Sequence, residues 1–293
     1  MAEHNSQLLN FKKWKIGNVT VTRVLEMDPM HIPPEWLLQT TAETIMKHVW
    51  LQPNYATPEG QIIANIQGFV IETGGQRILV DPCVGNDKTR ESAAFNKLNN
   101  PFLERLTAAG FPPESIDYVL CTHLHVDHAG WNTRLVDGKW VPTFPNARYL
   151  FGRIEVEYAK LDDGLDAKAT FEDSVQPILD AGLAELVEFD FRIGDEVFLE
   201  PSPGHTPGHC YVRISSMGEE GIITGDLIHH PIQACEPDVC SNFCFDTDQA
   251  RATRRLFLEK YSDTNTLVLG THFTEPTGVR ILPHGNVWKV EEI

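Results

Sequence analysis

Residues 121–133, CTHLHVDHAGWNT, place three histidines and an aspartate within six positions: His123, His125, Asp127 and His128. They follow IDYVLCT, a short β-branched and aromatic run that reads as a buried strand. No other stretch constrains the fold so tightly. A strand that ends in this cluster must deliver it to a place where other polar groups meet it, because a buried imidazole needs one or two hydrogen-bond partners, not three of its own kind. Two explanations compete at this point: a polar surface loop, or a shell of donors for a metal ion.

Other strand ends carry the same chemistry. EVFLEPSPG runs into HTPGH, with His205 and His209; GIIT runs into Gly225 and Asp226; TLVLG runs into Thr271 and His272. Any one of these histidines, taken alone, is better read as a capped or core residue. Their repeated placement just after strands favours a site, since loops held by rigid strands are where binding groups gather. The donors are imidazole and carboxylate with no thiolate among them, a mixture that suits zinc and would also take iron or manganese.

The surrounding pattern is α+β. Residues 18–27 alternate as a first strand, and residues 62–85 form two strands joined by TGGQ, a hairpin signal. A helix is expected over residues 91–109, another after the strand 147–152, a third over residues 171–183 with a break near Pro177, and a fourth over residues 248–259. Strands and helices recur in similar order in both halves, which suggests two sheet-plus-helix layers around one core and a single domain over residues 1–293. Residues 31–60 stand apart as an excursion with a short helix near residues 40–50. Its Trp36, Leu37, Leu38, Ile45, Met46, Val49, Trp50 and Leu51 are too many apolar groups to leave in water. They are expected to cover the pocket or a subunit interface.

The formal charge is −17, from 24 basic and 41 acidic side chains. That balance argues against a nucleic-acid partner, whose binding depends on Lys and Arg. The first residues do not read as a signal peptide, and the longest apolar runs are too short for a bilayer, so the expectation is a cytoplasmic protein without a membrane partner. The six cysteines are read as reduced thiols. Cys235, Cys240 and Cys244 lie close together without C-x-x-C spacing and read as small packed thiols, with a redox role as the alternative.

THLHVDHAG followed by GHTPGH, GD and GTH resembles the metallo-beta-lactamase-fold hydrolases. GDLIHHPIQ and GTHFTEPTGVRI look most like their lactonase and methyl-parathion-hydrolase relatives. The resemblance implies a four-layer αββα sandwich and two metal ions, most simply zinc. It implies that His123, His125 and His209 hold one ion, that Asp127, His128 and His272 hold the other, and that Asp226 bridges both. Asp81, in LVDPC, would orient a ligating histidine, and His205 would be structural. The implied reaction is attack on an ester, a lactone above all, by hydroxide held between the ions, with Asp127 and Asp226 as catalytic carboxylates. Tyr158 matches, by its order along the chain, a tyrosine that touches the substrate carbonyl. Trp36, Trp50, Trp131, Phe243 and Phe273 are candidates for an apolar pocket wall that would take a substrate with an apolar or aromatic part. A phosphotriester or lactam substrate on the same site, or a diiron redox protein, are the alternatives, and a homodimer is the expected assembly.

Overall fold

The computed structural model describes residues 11–188 and 190–293. Its backbone is dominated by two seven-stranded sheets packed face to face. In chain order the first sheet takes β1 (Phe11–Ile16), β2 (Val19–Ile32), β3 (Ile62–Thr73), β4 (Gln76–Val80) and β5 (Tyr118–Leu120). A separate small hairpin follows, β6 (Thr133–Val136) and β7 (Lys139–Pro142). The first sheet then resumes with β8 (Arg148–Gly152) and β9 (Ala184–Val187). The second sheet comprises β10 (Arg192–Ile193), β11 (Val197–Pro201), β12 (Cys210–Ser216), β13 (Glu219–Ile223), β14 (Leu267–Leu269), β15 (Gly278–His284) and β16 (Val287–Glu292).

Three apolar layers explain this stacking. Val21, Phe69, Ile71, Val80 and Leu120 of the first sheet meet Val197, Val212, Ile214, Ile223 and Leu269 of the second. The opposite face of the first sheet, with Val24, Val70, Leu79 and Val119, packs against Phe102 and Leu106 of the helix Phe102–Ala108 and against Val156 of the helix Arg153–Ala159. The outer face of the second, with Tyr211, Ile222 and Val268, packs against Phe257, Leu258 and Tyr261 of the helix Thr247–Tyr261. The result is the expected αββα sandwich. Strand β3 shows why its sequence is apolar almost throughout: Phe69 and Ile71 point between the sheets while Ile66 and Val70 point to the helices.

Topology places the polar loops together. Strands β4, β5, β8 and β9 are parallel neighbours in the first sheet, and β13 and β14 are the parallel pair of the second. Parallel neighbours end on the same side, so Asp81 after β4, the histidine cluster after β5, Asp226 after β13 and His272 after β14 gather at strand ends, where open α/β sheets bind ligands.

Several elements differ from expectation. The helix expected over residues 91–109 is confined to Phe102–Ala108. Pro101 is its N-cap and disfavours helical backbone at Asn100 before it, and the preceding loop is held instead by reciprocal bonds between Asn86 and Asn100. Strand β1, β10 and the β6–β7 hairpin were not anticipated. The hairpin did have a signal: Asp137-Gly138 at its tip, both with positive φ as a type I′ turn requires. The break near Pro177 is a π-helical turn, Phe171–Val175, between two short α-helices. Strand β2 bulges between Leu25 and Met30 where Pro29, lacking an N–H, interrupts the ladder. Among the described residues no helix is long and apolar enough to cross a membrane.

Candidate metal centre

Strand β5 ends at Leu120, and Thr122 is pinned at once. Its N–H and hydroxyl donate to the two oxygens of buried Asp81, at 2.7 and 2.9 Å. His128 Nδ1 donates to the same carboxylate at 3.0 Å. Asp81 thus sets both the start of the histidine loop and the ring plane of His128, leaving His128 Nε2 to face inward.

Two donor groups result. His123, His125, His205 and Asp226 present ligand atoms within 4.8 Å of one another, and so do Asp127, His128 and His272. Asp226 stands between them with its oxygens divided. Oδ2 lies 3.1 Å from His205 Nε2 and 3.6 Å from His123 Nε2, while Oδ1 lies 2.9 Å from His272 Nε2 and 3.2 Å from His128 Nε2. Burial alone would raise the Asp226 carboxyl; His128, His229, His272 and His205 outweigh it and hold the group well below the usual carboxylate range. Burial likewise lowers His123, His125 and His205, favouring the neutral ring that offers a lone pair.

A metal ion suits these residues. His123 Nε2, His128 Nε2 and Asp226 Oδ1 are buried and have no hydrogen-bond partner, although each is close to another donor atom. Unpartnered buried polar atoms are costly, and here they converge. The far nitrogens are engaged, His272 Nδ1 on the Asn65 carbonyl at 2.9 Å and His123 Nδ1 against Thr122 Oγ1 at 3.2 Å.

The two histidines of the HTPGH loop are placed differently from the expectation. His209, expected as a ligand, has both ring nitrogens occupied: Nδ1 contacts Ser202 Oγ at 2.7 Å and Nε2 accepts the Asp226 N–H at 2.8 Å. His205, expected to be structural, takes the place among the donors, with Nε2 2.9 Å from His125 Nδ1. The exchange arises because Ser202, the first residue after β11, captures the second histidine at the far end of the loop. His209 positions Asp226 through the backbone instead. Gly225 is required there, with φ +53° and a Cβ that would stand 2.6 Å from His209 Nε2.

Two buried carboxylates escaped sequence reading. Glu155, in the helix after β8, accepts the Leu124 N–H at 3.0 Å, the Thr206 hydroxyl at 2.7 Å and the Gly208 N–H at 3.1 Å. One side chain therefore ties the loop of His123 and His125 to the loop of His205. Glu26 accepts from Trp131 Nε1 at 2.6 Å and from the Val84 and Gly85 N–H groups. Burial pushes each up to about 7, against these hydrogen bonds. No local motif marks either residue, and each stands on an element that carries other charged side chains.

The centre opens into a cavity of about 440 Å³ with a mostly apolar wall that includes Met30, Ile66, Phe95, Trp36, Phe243 and Phe245. Of the five aromatic candidates only Trp36 and Phe243 line it. Trp131 is buried with its N–H on Glu26, Phe273 is core, and Trp50 lies at the surface. Tyr158 does border the cavity, its ring edge-on to Phe245 and its hydroxyl bonded to Asp162; burial and Asp162 raise that hydroxyl above its usual range. His229 also borders it, Nε2 3.1 Å from Asp226 Oδ2 and Nδ1 without a partner.

Residues 66–272 match the metallo-beta-lactamase superfamily. The chain belongs to that superfamily. Among relatives of this superfamily, an N-acyl homoserine lactonase of a Bacillus species is 27% identical over 160 residues, covering 50% of this chain and 57% of its own. The N-acyl homoserine lactonase AttM of Rhizobium radiobacter is 32% identical over 169 residues, covering 55% and 61%. The chain thus spans little more than half the length of these relatives. Solved superfamily structures overlay almost end to end. The hydrolase AbOPH does so with TM-score 0.79 at 22% identity over 97% of both chains. AidC, a dizinc quorum-quenching lactonase in complex with a product, does so with TM-score 0.77 at 21% identity over 98% of both.

Proposed function

We propose that this superfamily member is a metal-dependent hydrolase of carboxylic esters, with a lactone as the leading substrate, working as one domain with two metal ions, most simply zinc. The observation that carries the reading is the division of the Asp226 oxygens between two donor groups beside an apolar cavity. His123, His125 and His205 would hold one ion, Asp127, His128 and His272 the other, and Asp226 both. When bound, such a pair activates water for attack and polarises the ester carbonyl.

The chain's own groups do the rest. His209 and Gly225 fix the Asp226 backbone, so its two oxygens face opposite ways. Asp127 borders the cavity; in this reading it takes the proton of the attacking water and returns it to the alkoxide released when the ester C–O bond breaks. The Tyr158 hydroxyl, bonded to Asp162, orients a polar group of the substrate, while Trp36, Phe95 and Phe243 exclude water around its apolar part.

An assay of metal-loaded protein across lactones, aryl esters, phosphotriesters and lactams tests this directly. The expected result is that kcat/KM for lactones exceeds that for the other classes by at least about tenfold, equivalent to ~1.4 kcal/mol of transition-state preference, and is abolished by chelation. Preference for phosphotriesters or lactams would replace the substrate class. Turnover that survives complete metal removal would reject the mechanism.

The segment 31–60 is proposed to serve both the pocket and a homodimer. Trp36 and Leu37 reach the cavity wall, yet Met46, Val49 and Trp50 remain exposed on the same excursion, an apolar surface that a second copy would cover. Light scattering at micromolar concentration should give twice the 33.0 kDa chain mass, and Val49→Lys with Trp50→Lys should return it to the monomer value. A wild-type monomer would leave the excursion as a pocket wall only.

A further inference from the structure

Strand β3 carries two amides in its apolar run, Asn65 and Gln67, each only 2% exposed. Residues two apart on a strand share a face. Both amides therefore continue the row of Phe69 and Ile71 between the sheets, and the row ends under the loop of His272. A buried amide needs partners for its oxygen and its nitrogen alike. Neither amide faces the cavity, and ester hydrolysis does not use them directly.

Their partners lie around one ligand. Gly270–Phe273 is a tight turn closed by the Phe273 N–H on the Gly270 carbonyl at 3.1 Å, with His272 at its third position. Gln67 Nε2 donates across this turn to both end carbonyls, Gly270 at 3.1 Å and Phe273 at 2.9 Å. Two carbonyl oxygens can be met only by the NH2 group, which fixes the amide's orientation. Gln67 Oε1 then accepts from Asn65 Nδ2 at 3.2 Å, and the same Nδ2 lies 3.4 Å from the Phe273 carbonyl. The Asn65 backbone completes the hold. Its carbonyl accepts from His272 Nδ1 at 2.9 Å, and its N–H donates to the His272 carbonyl at 3.0 Å. On the other side, Thr224 Oγ1 accepts the Thr271 N–H at 3.3 Å and donates to the Gly225 carbonyl at 2.9 Å. None of these bonds reaches His123, His125 or His205.

We propose that Gln67 is a positioning residue for His272, and that it secures the ion of the Asp127, His128 and His272 group independently of the other ion. By drawing the two ends of the turn onto one amide, it presents the His272 ring with Nε2 2.9 Å from Asp226 Oδ1. Without the amide, two buried carbonyls lose a donor and the turn is free to shift. The ring's own bond to the Asn65 carbonyl fixes its tilt but not the place of its backbone. Loss of a group that orients a ligating histidine costs about 10–100-fold in metal affinity. Glu155 serves the loops of His123, His125 and His205 in the same way, so the two donor groups are braced by separate residues.

The effect on one ion rests on the two-ion reading; the placement of His272 does not. The test therefore uses metal-free and zinc-loaded protein. Gln67→Met keeps the length of the side chain and removes its donors. Asn65→Ala removes only the amide that holds Gln67 and leaves the Asn65 backbone in place. In metal-free protein, nitrogen-15 histidine NMR follows solvent exchange of the His272 Nδ1 proton. In zinc-loaded protein, chelator competition counts the ions retained. Gln67→Met should exchange that proton about 10-fold faster or more, and should release one ion at a chelator concentration about 10-fold lower or more while keeping the other as wild type does. Asn65→Ala should move both readouts the same way by less, and it decides the matter alone if Gln67→Met does not fold. Ile71→Val, a core change in the same row of β3, should lower Tm and move neither readout. Unchanged exchange of the His272 proton in both amide variants overturns the positioning role. Equal weakening of both ions overturns the separate bracing. Faster exchange in a protein whose wild type never retains two ions supports the positioning of His272 and overturns the two-ion reading instead.

Discussion

Asp226→Asn should lower kcat/KM by about three orders of magnitude or more and leave at most one tightly held metal ion per chain. The amide keeps the shape of the side chain, so the folded structure should survive. What it loses is the negative charge that lies within 3.2 Å of His205, His229, His128 and His272 together. One neutral oxygen cannot serve both donor groups, and removing a single preorganised electrostatic contact costs roughly 10²–10³ in kcat even without loss of an ion. Elemental analysis beside steady-state kinetics checks the pair of effects. Retention of two ions with near wild-type turnover would dispose of Asp226 as the bridge. His205→Ala and His209→Ala extend the comparison: the first should remove one ion, while the second should leave the donor set in place and loosen only its alignment.

The second large effect is expected at a residue outside the donor set. Glu155→Ala would leave the Leu124 N–H, the Gly208 N–H and the Thr206 hydroxyl without their acceptor, all in buried surroundings. Each stranded donor costs about 1–3 kcal/mol, so the variant should lose on the order of 3 kcal/mol or more. For a chain of this size that lowers Tm by roughly 5 °C or more. Because Glu155 joins the loop of His123 and His125 to the loop of His205, zinc should also be extracted faster at temperatures well below the melt. Calorimetry and chelator competition measure the two separately. A melting point within about 2 °C of wild type would show that water replaces the carboxylate without penalty, and the clamp would not exist.

What the sequence determined by itself was the chemistry and the layers. Alternating and continuous apolar runs imposed strands with one or both faces buried, and imidazole or carboxylate placed directly after β5, β13 and β14 announced a donor set, because side-chain type and strand termination are both local properties. Even the Asp-Gly turn of the β6–β7 hairpin was legible, though it went unread. Choosing between His205 and His209 was a different matter. Both stand in the same HTPGH, with the same chemistry four residues apart. The choice depends on Ser202 and the Asp226 backbone occupying the ring of one and leaving the other turned toward His125. Glu155 was silent for the same reason: its three donors lie 31 to 53 residues away in sequence, and only the packing of the helix Arg153–Ala159 beneath two loops brings them to it. The aromatic residues divide likewise, Trp36 and Phe243 lining the cavity while Trp131 and Phe273 fill core. A ring's identity sets how much surface it can bury, but which surface it buries is decided by neighbours that only the folded chain supplies.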